Sequence, residues 1–552
     1  MPPMRRLFAV LLLLSVCLPL AAQMVEVPPS TEAGRVLDGL IADSRLDELR
    51  WPDFSDYRKH LRNFYGANGY TLVWTKGGHV TPQARTVIAM FEAADAKGIN
   101  SVDYDAPRWK DRVAALEAAP ADAALARFDL ALSASLMRYI SDLHIGRINP
   151  RNLRFDLDIE SKKYYLPSLL AQASAGDPAV VLANIEPPYD AYRRLQTALA
   201  DYRKWAAETA SDKSLPVVKV LKSGQPYAAL PQLAAMLRRV GDLPADAKTN
   251  DAVYEEPLVS AVKHFQARHG LDADGILSAR TFAALNVPLS FRVRQIQWAL
   301  ERWRWAPMEF AAPPIVVNIP EFRLRAWDET GKTAVSMAVV VGQAYSHQTP
   351  VFADQMRYVV FRPYWNVTPN IQRSEIVEKV AKDRSYIAAN NYELVNANDQ
   401  PLGTKVDDAM LARLRNLEVR VRQKPGPSNA LGLIKFIFPN ENNIYFHSTP
   451  AKELFSRARR DFSHGCIRLG DPVALAQWVL RDKPEWTKEK IVAAMEKGPN
   501  DAYVNLTKPL PIMIVYATAA SQDDGTIEFF EDIYGHDATL ENALAAGYPY
   551  PA

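Results

Sequence analysis

Apolar positions recur at three- and four-residue spacing through the first half of the chain and at strand-like spacing through much of the second. Residues from about 33 to 212 are Ala-rich and read as helices. Phe128, Leu132, Ser135 and Tyr139, with Leu136 and Ile140 beside them, form the i, i+4, i+7 stripe of a buried helix face. Asn149-Pro150 and Glu186-Pro187-Pro188 punctuate this region, which is expected to be a helical scaffold domain. A second unit spans about 213–290. There Leu258, Val262 and Phe265 share a helix face that stops at Gly270. Asp272-Ala273-Asp274-Gly275 is a turn before a further helix, Thr281 to Leu285.

From Ile315 the pattern changes. Ile315–Ile319, Phe322–Trp327, Ala338–Gly342 and Tyr358–Phe361 are short branched or aromatic runs bounded by Pro, Gly or Asp, as strands are. Ile434–Phe438 and Ile444–His447, joined through Pro439-Asn440-Glu441-Asn442-Asn443, read as a hairpin with a five-residue turn. Strands so close in sequence imply a sandwich or barrel over 312–517. The charged, helical-looking stretch 371–422 is an insertion in it, and 518–552 is a C-terminal extension. The expected fold is therefore multidomain: helical scaffold, small helical unit, and a mainly-β domain with a helical insertion.

Composition narrows the function. The chain has 552 residues, room for about three to five domains. Its 65 Lys+Arg nearly balance 63 Asp+Glu, and no basic block interleaved with aromatics suggests nucleic-acid binding. Arg5 and Arg6 precede an apolar run, Leu7–Leu18, followed by Pro19, Ala21 and Ala22, the pattern of a secretory signal peptide cleaved near Ala22. A lipoprotein reading through Cys17 is weaker, because Val16 stands where a small residue is wanted. That run is too short to span a bilayer, and no later stretch is long and apolar enough. Cleavage leaves acidic and basic residues equal in number, and Cys466 as the single cysteine of an exported chain.

Cys466 lies in the sharpest local constellation, Ser463-His464-Gly465-Cys466-Ile467-Arg468, with His447 19 residues earlier at a strand end. A thiol attacks as thiolate, and an imidazole nearby raises its reactivity. Both His447 and His464 are candidates for the base. His447 is preferred, since a neighbouring strand would present it, while His464 suits shaping the loop. Gly465 permits backbone geometry closed to other residues, so the amides around Gly465 and Cys466 could form an oxyanion hole. Arg468 at the mouth suits a substrate carboxylate, or else a structural ion pair. Asp471-Pro472 would cap the next helix. Two other readings stay open: a buried inert thiol, and a metal site of His447, His464 and Cys466, which lacks a carboxylate at ligand spacing.

At these residues the sequence resembles the L,D-transpeptidase catalytic domain, with its histidine followed by a Ser/Thr-His-Gly-Cys box. Tyr364-Trp365-Asn366-Val367, Thr349-Pro350-Val351-Phe352, Arg422–Pro427, Asn429-Ala430-Leu431-Gly432 and Lys435-Phe436 extend the likeness. Phe265-Gln266, Gly270-Leu271, Asp274-Gly275, Thr281 and Leu285-Asn286 resemble the three-helix peptidoglycan-binding domain, with Ser278 where a glycine is usual. The whole is similar to the large periplasmic branch of the transpeptidase family. It departs at Thr368, where that branch usually has Pro, and at Ser448, where Gly or Asp is commoner. The resemblance implies a periplasmic acyltransferase without cofactor or metal that acts on peptidoglycan stem peptides. Cys466 would form a thioester, His447 would carry protons, and 3-3 crosslinks would be the product. The 371–422 insertion would be a lid, with Trp365 and Tyr445 lining the cleft. Hydrolysis, attachment of a protein to the wall and non-catalytic wall binding are the alternatives.

Overall fold

In the computed structural model residues 26–550 are described; the expected signal peptide, with Arg5, Arg6 and Cys17, lies outside them. Among the described residues no helix is long and apolar enough to cross a membrane. The helical part is organised around the helix Asp122–Ile145. The sequence pattern predicts one apolar stripe, yet every residue from Phe128 to Ile140 is buried. The polar members are accommodated by partners: Asp129 accepts from the Tyr65 hydroxyl and the Trp74 amide at 2.7 Å each, and Ser133 accepts from the Trp74 indole at 2.8 Å. The helix Asp190–Glu208 leaves this core. Its Tyr192, Leu195 and Leu199 pack instead with Ile296, Ala299 and Leu300 of the helix Leu289–Trp303.

The second unit has its own core and three helices, Leu230–Arg239, Leu258–Arg268 and Ala279–Leu285. Buried Gln266 fixes the turn between the last two. Its side chain accepts from Gly275 N–H at 2.8 Å and donates to the Ile276 carbonyl at 2.9 Å. Ser278 caps the final helix by accepting from the Thr281 amide.

The mainly-β domain is a barrel. Its strands are β1 (Ile315–Asn318), β2 (Arg323–Trp327), β3 (Thr333–Gly342), β4 (Phe352–Phe361), β5 (Ile434–Ile437), β6 (Phe446–His447), β7 (Asp461–Ser463), β8 (Ile467–Leu469) and β9 (Ala502–Val515). The order β3-β8-β6-β5-β4-β9-β1-β2 returns to β3, and β7 pairs with the end of β3. The helical part shares the barrel's core: Ile148, Phe155 and Leu157 pack with it, and Asp156 N–H donates to the Val351 carbonyl at 2.9 Å. The hairpin's return strand is shorter than its apolar run predicts. Asn440 accepts from Ile444 N–H and donates to the Ile444 carbonyl at 2.7 Å, which draws that residue into the turn.

The insertion departs from the helical expectation. Trp365–Asn366, Arg420–Gln423, Tyr392–Val395 and Pro401–Gly403 form a four-stranded sheet with helices on it and a core of its own. Its sheet thus begins before residue 371. Charge hides these strands in the sequence: Arg422 and Glu393 face each other across the ladder and pair at 2.6 Å, so charges that look like a solvated helix face are cross-strand partners.

Candidate active site

Cys466 is half-buried in the loop immediately before β8. Ser463 shapes this loop: its hydroxyl donates to the Cys466 carbonyl at 2.6 Å and accepts from Gly465 N–H at 3.1 Å. Thr349 ties it down from the next loop, donating to the Gly465 carbonyl at 2.7 Å while accepting from Gly342 N–H at 2.9 Å. Gly465 has φ +111°, a conformation that favours glycine. Behind them the Tyr534 hydroxyl, from the C-terminal extension, donates to the Gly342 carbonyl at 2.6 Å.

His447 ends β6 and is only 4% exposed. Parallel pairing places it opposite Arg468, so alternation along the two strands puts Tyr445, His447, Cys466 and Arg468 on one face. Its Nδ1 lies 2.6 Å from the Ser448 carbonyl. A carbonyl only accepts, so the ring donates from Nδ1, and the neutral ring keeps its lone pair on Nε2. Burial, reinforced by the positive Arg468, pushes the His447 pKa down to about 3, so the ring is neutral at physiological pH.

The carbonyl that orients His447 is itself held. The Ser448 hydroxyl accepts from Leu433 N–H at 2.7 Å and donates to the Leu431 carbonyl at 3.2 Å. Fully buried Asn429 accepts from Leu431 N–H at 2.8 Å. Gly432, at φ +62°, leaves room for the Ser448 hydroxyl: a Cβ there would come within 2.1 Å of its oxygen.

Burial pushes the Cys466 thiol up to about 11, although hydrogen bonds from the Tyr445 backbone and hydroxyl and the charge of Arg468 act the other way. The thiol donates to the Asn443 carbonyl at 3.7 Å. The free protein therefore holds a neutral thiol and a neutral imidazole, not the pre-formed thiolate that the Cys-His pattern suggests. Arg468 completes the group. Its Nε is buried without a hydrogen-bond partner.

The other expected residues divide. His464 Nε2 sits 2.6 Å from Glu375 Oε1 of the insertion, and its ring lies 4.6 Å from that of His347. Donation to a carboxylate commits Nε2 as an N–H, so that nitrogen cannot take a proton from the sulfur. The Gly465 amide, expected in an oxyanion hole, is taken by Ser463 inside the loop. Tyr445, expected to line a substrate cleft, hydrogen-bonds the thiol, with its ring 5.8 Å from that of His447. Trp365 packs against Tyr392 in the insertion, a core contact. Among the described residues no group of three or more His, Cys, Asp and Glu is arranged to hold a metal. Thr349, Asn429 and Tyr534 were not singled out for these supporting roles. Asn429-Ala430-Leu431-Gly432, a turn-forming pair around two apolar residues, carries a local signal, whereas Glu375 carries none.

Comparison with known proteins matches three parts of the chain. Residues 313–492 match the L,D-transpeptidase catalytic domain, 228–285 a "Putative peptidoglycan binding domain" and 59–199 a scaffold domain. A protein of Haemophilus influenzae named "Putative L,D-transpeptidase" is 32% identical over 234 residues, 42% of this chain. The match spans 45% of that relative's length. The barrel domain is thus similar to the L,D-transpeptidase catalytic domain, and the two parts before it to a scaffold domain and a peptidoglycan-binding domain.

Proposed function

We propose that the protein is an exported, periplasmic cysteine acyltransferase that forms 3-3 crosslinks between peptidoglycan stem peptides. One observation carries the reading: the Cys466 sulfur shares a sheet face with a neutral histidine that donates from Nδ1 to the Ser448 carbonyl and with an arginine whose buried Nε has no partner. In the reaction, Arg468 holds the terminal carboxylate of the donor stem. Because thiol and imidazole are both neutral at rest, His447 Nε2 takes the thiol proton as the sulfur attacks the carbonyl of the stem's third residue. The Cys466 amide and the Tyr445 hydroxyl, which already hydrogen-bonds the thiol, donate to the developing oxyanion. The C–N bond breaks, His447 returns the proton to the leaving D-Ala amine, and a thioester remains. The side-chain amine of a second stem's diamino acid attacks the thioester, losing a proton through His447 and restoring the thiol. One amide is exchanged for another, so no ATP is needed.

The test is mass-spectrometric analysis of tetrapeptide-bearing peptidoglycan incubated with purified protein. Crosslinked stems joined through their third residues should appear, with one D-Ala released per crosslink. Cys466→Ala should make none while melting at the same temperature. Free tripeptides without crosslinks would assign hydrolysis instead, and an unchanged stem profile would leave a non-catalytic wall binder.

A further inference from the structure

Glu375 lies in the insertion, 91 residues before Cys466 in sequence, yet its carboxylate pairs with the residue two before the nucleophile. It sits in a π-helical turn, Gln372–Ile376, a rare geometry frequent at functional positions. That turn is pinned within the insertion. Buried Gln372 donates to the Leu414 and Val419 carbonyls at 3.0 and 2.8 Å and accepts from Val421 N–H at 3.0 Å. The backbone beneath Glu375 is thus fixed to the insertion's own core. Its two oxygens are divided: Oε1 faces His464 Nε2 at 2.6 Å, and Oε2 faces Lys379 at 3.6 Å. On the other side, His464 packs against the His347 ring. The loop bearing Cys466 is therefore held by two sources: Ser463 and Thr349 from within the barrel, and a carboxylate that moves only with the insertion.

We propose that Glu375 is a positioning residue of the acylation step. Through His464 it fixes the Ser463–Cys466 loop when the insertion rests on it, so that nucleophile geometry and closure over the donor peptide are one event. The proposal rests on the acyltransferase reading and deepens it. Separating the insertion from the barrel removes the pair, and the loop then keeps only its barrel-side bonds. The sulfur remains present and reactive towards small reagents but is less well placed for a bound peptide. Small misplacements of a reacting group cost large factors in rate, which lets a carboxylate–imidazole contact about a third exposed have a kinetic effect beyond its modest stability.

The experiment is a double-mutant cycle on single-turnover acylation of the full chain by a tetrapeptide stem, with iodoacetamide alkylation of Cys466 measured in parallel. Glu375→Ala and His464→Ala should each slow the maximal acylation rate roughly ten-fold, with a smaller change in half-saturating peptide and unchanged alkylation, and the double variant should lose no more than either alone. Glu375→Gln, which keeps an acceptor, should recover most of the rate. Multiplying losses in the double variant, or wild-type acylation by Glu375→Ala, would overturn the proposal. If wild-type protein is alkylated but never acylated by the stem, the acyltransferase reading fails instead, which is a separate outcome.

Discussion

The two sides of the Cys466 loop are built on opposite plans. On the β6 side the base is buried and its carbonyl partner is fixed by Ser448, Asn429 and Gly432, all inside the barrel. On the insertion side the contact is one pair, Glu375 with His464, each side chain about a third exposed. Leaving a buried group unsatisfied costs about 1–3 kcal/mol, whereas an exposed ion pair contributes about 0–1 kcal/mol. On the proposed reading the proton-moving group is thus held where rearrangement is expensive, and the group proposed to position the loop is held where it is cheap. Rigidity at the chemistry and lability at the entrance follow from burial alone.

Removing the buried base should have the largest effect. His447→Ala is expected to slow acylation by ~10² to 10⁴, measured by thioester formation on a tetrapeptide stem; a near-normal rate would move the base to the entrance side and erase the distinction. Thiol ionisation comes next. With the Cys466 thiol up near 11 and His447 neutral down to about 3, free protein should show alkylation that rises about ten-fold per pH unit from pH 7 to 10. The sign follows from the raised value, since each step towards it exposes more thiolate. A plateau below pH 8 would indicate a resting thiolate–imidazolium pair. The smallest change is Ser448→Ala, which strips the part-buried Leu433 N–H and the buried Ile434 N–H of their acceptor. It should lower stability by about 1–3 kcal/mol in urea unfolding and slow turnover a few-fold; an unchanged pair of measurements would mean that the His447 carbonyl needs no such support.

Much of this was legible in the sequence where local chemistry and local structure coincide. Branched runs such as Ile315–Ile319 and Ile434–Phe438 are strands because their pattern leaves few alternatives, and Ser463-His464-Gly465-Cys466 is a loop because its glycine adopts positive φ. The insertion's sheet was obscured because Glu393 and Arg422 neutralise each other across strands far apart in sequence. The helix Asp190–Glu208 reads as part of the helical scaffold, yet its apolar face is answered by Leu289–Trp303, a partner that periodicity cannot name. Within the site, residue type indicated a nucleophile and two imidazoles. Only spatial neighbours separate them: a backbone carbonyl for His447, a carboxylate for His464.

Closure of the barrel has a consequence for how a substrate reaches the sulfur. β8 is hydrogen-bonded on one side to β3 and on the other to β6, so the strand that follows Cys466 has no vacant edge. An incoming peptide cannot dock by adding a strand to β8, the common route to binding a backbone of any sequence. On the proposed reading a donor stem meets the sulfur at the loop where that strand begins, not along the strand itself.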